Sequence, residues 1–410
     1  MEEIRPIKFN SMQKLRELNN DYWNKIHHAK ENGKLIAWCS GMVPWDIMAA
    51  MDFLPIFGVG NAANSSLAGA STNLLELTEA DGYPTELCTY ARADIGGAMM
   101  GKESPIPGKP PKPDLIVGSD GQCHSINKWH ESLRNIWGVP AYLVNVPILH
   151  DGISKDEYKD IHAYVKEQLE ELIVFLEGFT GRRFDYDRLQ ESIKQTRRQC
   201  QLWDEILQMR KNIPSPMSIF DMWTHIFPIL GHRGTPEGVA YYEMLKEEVA
   251  ERVANKVGAI PNERHRLHFD GIPIWFEIRK LFATFASYGA NAITHPYPLL
   301  FDLKDLDPAR PIDSIAEVIM KSLINVGIKE RTAIMVSHVR EYSLDGAIMG
   351  MTRTCKPLSM GIFDIAEGIE KETGVSTMVI ETEQCDTRAF SEAQFYLSIQ
   401  TFLETLESKA

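Results

Sequence analysis

Short apolar runs set against longer stretches of helical period dominate the first third of the chain. KLIAWCSG (34–41) leads into VPWDIMAAMDF (43–53), LPIFGVG (54–60) into ASTNLLELTEADG (70–82), and PDLIVGSDG (113–121) into INKWHESLRNIW (126–137), with PAYLVNVP (140–147) closing the series. Runs of four to eight apolar residues bounded by Gly, Pro or Asp are too short for buried helices and suit strands buried on both faces. Their alternation with helical segments predicts a parallel sheet wrapped by helices. The pattern then changes. YKDIHAYVKEQLEELIVFLEGFTG (158–181) puts Ile161, Val165, Leu169, Leu172 and Ile173 on one face, and DRLQESIKQTRRQCQLWDEILQMRKN (187–212) keeps the same period until Pro214 and Pro216. After His265 the alternation returns, with HRLHFDGIPI, NAITHPYP, DGAIMGMTR and STMVIETEQ as strands. The expected organisation is an α/β region over 1–154, a helical section over 155–260 and a second α/β region over 261–410.

Composition narrows the function. The 410 residues carry 56 acidic and 43 basic side chains, a formal net charge of −13. That balance repels a phosphate backbone, so nucleic acid is not an expected partner. No run of eighteen apolar residues occurs and MEEIRPIKFN is charged where a signal peptide is apolar, so the expectation is a cytoplasmic protein without a membrane partner. Six cysteines (Cys39, Cys88, Cys123, Cys200, Cys355, Cys385) are scattered without a CxxC pair. In a reducing compartment they read as thiols or metal ligands rather than a disulfide framework.

Four of these cysteines follow apolar runs: Cys39 ends KLIAW, Cys123 follows LIVGSDGQ, Cys355 follows AIMGMTRT and Cys385 follows MVIETEQ. Cys88 stands at a helix start and Cys200 inside a helix. Ligands of open parallel sheets gather beyond the carboxyl ends of the strands, so two facing sheets would collect thiolates from distant sequence. Position alone leaves iron–sulfur, zinc and nucleophilic cysteine open. Two other motifs fail on context. GGAMMGKE (96–103) has Glu103 where a phosphate-binding loop needs Ser or Thr, and it follows a helical stretch instead of a strand. GVGNAA (58–63) resembles a dinucleotide turn but reads as a loop at the sheet edge. Arg353, Lys356 and Arg388 flank cysteines, as thiolate-stabilising cations or as surface pairs. The tryptophans at 38, 45, 129 and 203 read as core.

LCTYARADIG with MMGK, PDLIVGSDGQCHSINKWHESL, the SPM at 215–217 and IETEQCDTRAFSEAQF together resemble the benzoyl-CoA reductase and (R)-2-hydroxyacyl-CoA dehydratase family, in order from about residue 35 to the C-terminus. The resemblance implies two Rossmann-like domains with helical segments between them, and an iron–sulfur cluster in the interdomain cleft. It also implies electrons from a separate ATP-hydrolysing iron–sulfur activator, with ATP used by that partner and not by this chain. The family's cluster cysteines fall on Cys88, Cys123 and Cys355. Cys39, Cys200 and Cys385 look added, and six thiolates match two cubanes that share one sulfide, three irons each. This resembles the double-cubane [8Fe-9S] branch, which implies a homodimeric, anaerobic reductase of small molecules, with His124 and Gln122 supplying protons or hydrogen bonds. The alternative is the family's commoner form, a [4Fe-4S] subunit of a CoA-ester reductase or dehydratase. A third reading is an electron-storage protein without turnover of its own.

Overall fold

A computed structural model describes residues 7–121 and 123–409 of the chain. Two four-stranded parallel sheets form its frame. The first comprises β1 (Leu35–Cys39), β2 (Phe53–Phe57), β3 (Leu115–Ser119) and β4 (Ala141–Val144) in the order β2-β1-β3-β4. The second comprises β5 (His265–Asp270), β6 (Ala290–Thr294), β7 (Gly346–Thr352) and β8 (Ser376–Thr382) in the order β6-β5-β7-β8. The two halves thus repeat one topology. In each, the strand order reverses between the first and third strands, the point beyond whose carboxyl ends ligands gather in open parallel sheets. β3, β5 and β6 are buried along their whole length; β3 reads as an apolar run, whereas β5 buries His265, Arg266, His268 and Asp270 beside Leu267 and Phe269.

Between the two sheets in chain order come the helices Lys155–Thr180, Tyr186–Met209 and Pro236–Ala254. The first buries Val165, Leu169, Leu172, Ile173 and Leu176, one face at helical spacing; Ile161 is only half-buried. The second is tied to the first half through Asp46, whose Oδ1 accepts from Ser192 Oγ and Thr196 Oγ1, each at 2.7 Å. No helix among the described residues is long and apolar enough to cross a membrane.

One expectation needs correction. GVGNAA does not form a loop: the helix Gly58–Leu67 starts immediately after β2. Gly58 sits against the Trp38 indole, closer than a Cβ would tolerate. The glycine therefore serves helix–sheet packing, not a dinucleotide turn. GGAMMGKE likewise lies in the helix Thr89–Met100 and the short turn after it, and Gly96 packs on the Leu74 carbonyl of the neighbouring helix. That geometry cradles no phosphate.

Trp38, on β1, and Trp129, on the helix Ser125–Trp137, both donate from Nε1 to Asp94 Oδ2 at 3.0 Å. Asp94 belongs to Thr89–Met100 and is 1% exposed, so a single carboxyl joins a strand and two helices. Burial raises its pKa well above 3.8, against the lowering effect of the two indoles. A carboxyl whose folded pKa is raised contributes its full stability below its unfolded value, and the contribution declines as pH climbs towards the raised value. Asp94→Asn is expected to fold within about 1 kcal/mol of the parent at neutral pH and to lose that decline. Asp94→Leu is expected to cost about 1–3 kcal/mol for each orphaned indole N–H. Urea denaturation at several pH values measures both, and equal losses in the two variants would remove the carboxyl as the shared acceptor.

Candidate metal centre

Glu383, directly after β8, is 1% exposed, and its carboxyl gathers donors from three cysteine-bearing segments. Oε1 accepts from Thr89 Oγ1 at 2.7 Å, beside Cys88. It also accepts from the backbone N–H of Gln384 at 2.8 Å and of Cys385 at 3.2 Å. Thr354, beside Cys355, donates to Oε2 at 3.2 Å, and its hydroxyl stands 3.3 Å from that of Thr89. The segment of Cys88 belongs to the first half and those of Cys355 and Cys385 to the second. Further bonds close the same seam: Ser71 Oγ to the Cys385 carbonyl at 2.7 Å, and Arg388 to Glu79 at 2.6 and 3.0 Å.

Cys88, Cys123 and Cys355 are half-buried and lie within electrostatic reach of one another. Cys88 stands just before Thr89–Met100 and Cys355 just before the short helix Lys356–Ser359. The N–H groups of Ala91 and Tyr90 favour the Cys88 thiolate, and that of Leu358 favours the Cys355 thiolate. Burial outweighs them. Cys88 is pushed up to about 11, with the Cys123 charge adding to the rise, and Cys355 is raised by burial and by the charge of Cys88. Gln384 Nε2 donates to Cys88 Sγ at 3.4 Å. The loop leading to Cys123 is held by Asp120, which accepts from Val146 N at 2.7 Å and Asn145 Nδ2 at 2.6 Å.

Cys385 is fully buried and within reach of Cys88, and its Sγ donates to the Ala62 carbonyl at 3.7 Å. Cys39 and Cys200 stand elsewhere. Both are buried, and both feel the charge of Arg233. Cys39 Sγ turns to the Ala37 carbonyl and Cys200 Sγ to that of Phe301, each at 3.7 Å. Burial raises Cys39, and burial with Asp302 pushes Cys200 up to about 12. The six thiols therefore fall into a group of four and a pair. Among the described residues, no three His, Cys, Asp or Glu side chains converge on a single metal ion. The described residues thus assemble no single-ion site, whereas thiolates around a cubane would be held apart by the cubane itself. Thiolates from three separate segments, with N–H donors at two sulfurs, fit an iron–sulfur cluster.

His124 is exposed at the head of Ser125–Trp137, and Gln122 lies outside the described residues. Arg353 pairs with Glu381 at 2.8 Å, Lys356 donates to the Arg353 carbonyl, and Arg388 pairs with Asp386 and Glu79. The cation that bears on Cys355 is instead Arg331, which is 5% exposed and bonded to the Pro357 and Leu358 carbonyls. Glu383 had one sequence signal, a threonine beside each of two cysteines (Cys88-Thr89, Thr354-Cys355) and an acid two residues before a third. Thr89→Val and Thr354→Val are each expected to cost about 1–3 kcal/mol in urea denaturation, since each removes a buried donor from one carboxyl. The double variant is expected to depart from the sum by more than about 0.5 kcal/mol. Strict additivity would mean that the two hydroxyls do not share Glu383.

The family described as 2-hydroxyglutaryl-CoA dehydratase, D-component, matches residues 40–406. The chain is 27% identical over 399 residues to the (R)-phenyllactyl-CoA dehydratase alpha subunit of Clostridium sporogenes, covering 96% of this chain and 95% of that one. It is 29% identical over 420 residues to one of the subunits of the benzoyl-CoA reductase of Thauera aromatica, covering 98% and 96%. To the lactoyl-CoA dehydratase alpha subunit of Anaerotignum propionicum it is 27% identical over 393 residues, covering 93% and 92%. With the match spanning nearly the whole chain, including every cysteine of the seam and Cys200, and leaving Cys39 just outside it, the protein belongs to the 2-hydroxyglutaryl-CoA dehydratase D-component family.

Proposed function

We propose that this chain is the cluster-bearing subunit of a CoA-ester dehydratase or reductase, with one [4Fe-4S] cluster on Cys88, Cys123 and Cys355. The observation that carries this reading is the grouping of the thiols: these three share one seam with Cys385, while Cys39 and Cys200 lie around Arg233. A cubane held by three cysteines keeps one iron free for a substrate atom or water. When bound, the cluster supplies single low-potential electrons, delivered by a separate ATP-hydrolysing iron–sulfur activator. The chain's own part is to hold and tune it. N–H groups at the helix starts and Gln384 Nε2 donate to sulfur and stabilise its negative charge, which raises the reduction potential. Relatives named as alpha subunits favour pairing with a related but different chain over a homodimer.

The double-cubane reading keeps one specific support, the nearness of Cys385 to Cys88. It further requires Cys39 and Cys200 to turn towards the seam. Iron and acid-labile sulfide on anaerobically purified protein separate the two. The expected result is about four irons per chain, lost in Cys88→Ser, Cys123→Ser or Cys355→Ser and kept in Cys39→Ser and Cys200→Ser. About eight irons, falling in the latter two variants, would replace the single cluster with the double-cubane form and small-molecule reduction.

A further inference from the structure

Next to the thiol seam lies a half-open cavity of about 430 Å³, bounded by the helices Met12–His27 and Gly58–Leu67 and by the segment 220–230. Its buried wall is aromatic: Tyr22, Phe57, Phe220, Trp223, Trp275 and Tyr297. Two polar atoms break that wall. Asn61 is 2% exposed and its Nδ2 has no hydrogen-bond partner; Trp223 is 6% exposed and its Nε1 has none either. An orphaned buried donor costs about 1–3 kcal/mol, so two on one cavity mark a place where an acceptor belongs.

The cavity and the thiols share a wall. Trp275 donates to the hydroxyl of Tyr90, two residues after Cys88, and Tyr297 feels the charges of Cys385 and Cys355. Asn61 precedes Ala62, whose carbonyl receives the Cys385 thiol. The helix that carries Asn61 therefore lines the cavity and also meets the segment of Cys385. Arg16, exposed at the mouth, is the only charged side chain among the lining residues. No cation stands at the bottom to neutralise a second carboxylate.

We propose that this cavity holds the acyl group of the substrate and selects a neutral aromatic acyl group, with Asn61 donating to its carbonyl oxygen. The inference rests on the CoA-ester reading and specifies its substrate class. Flat aromatic walls suit an aryl ring by edge-to-face contact. A dicarboxylic acyl group would bury a charge without a partner there.

The test uses the anaerobically purified full chain with benzamide, propionamide and glutarate as probes, followed by tryptophan fluorescence and calorimetry. Benzamide is expected to bind, propionamide more weakly, and glutarate not at all. Asn61→Ala is expected to weaken benzamide about tenfold. Thr224→Trp, a change at an exposed position on the rim, is expected to abolish binding with iron content and thermal midpoint unchanged. Glutarate or propionamide binding as tightly as benzamide, or benzamide binding indifferent to both variants, would overturn the assignment. Iron measured on the same samples keeps the two readings apart: a chain without iron that still binds benzamide through Asn61 retains the cavity assignment and loses the cluster.

Discussion

The arrangement of the whole molecule turns on one buried carboxyl. Glu383 is reached by a threonine from the first half, a threonine from the second, and two backbone N–H groups of the segment that follows β8. A buried carboxyl is tolerable only with its acceptor capacity filled, and here the donors come from segments far apart in sequence. The two halves must therefore close on each other for Glu383 to be satisfied. The same closure brings Cys88 and Cys355 together, because each is the immediate neighbour of a threonine on that carboxyl. Thiol spacing is in this way set by hydrogen bonds a residue removed from the sulfurs, which is how ligands are held when their own chemistry is reserved for a metal.

Topology supplies the coarse placement and the carboxyl refines it. Both sheets reverse strand order between their first and third strands, and the segments of Cys123 and Cys355 leave from the ends of β3 and β7, at those reversals. A helix then starts close to each thiol. The geometry that gathers nucleotides in single-sheet folds here gathers thiolates from two sheets.

The sequence makes the frame legible and much of the chemistry not. All eight strands stand out as short segments between turn residues and helical stretches, although β4 and β8 are only partly buried and β5 buries His265, Arg266, His268 and Asp270. Gly58 misleads because a glycine demanded by the Trp38 indole looks, in sequence, like one demanded by a phosphate. Arg353, Lys356 and Arg388 lie beside cysteines in sequence but are bound to Glu381, a carbonyl, and Asp386 with Glu79, whereas Arg331 and Arg233 act on thiols far away in the chain. Charge acts through space, and a single sequence reports only neighbours along the chain. Glu383 escaped for the same reason: an acid after a strand reads as solvated until its donors arrive from elsewhere.

Burial raises the pKa of Cys88 and Cys355, although helix N–H groups pull the other way. Thiols so placed are poor nucleophiles near neutral pH, which argues against covalent catalysis by these two. A metal centre reverses the balance, since coordination favours the thiolate that burial disfavours. The burial that makes these cysteines chemically quiet alone would suit them to the cluster of the proposed reading. With Trp275 donating to Tyr90, and Tyr297 within electrostatic reach of Cys385 and Cys355, the aromatic cavity adjoins the thiol segments, and an acyl group bound there as proposed would lie beside the centre.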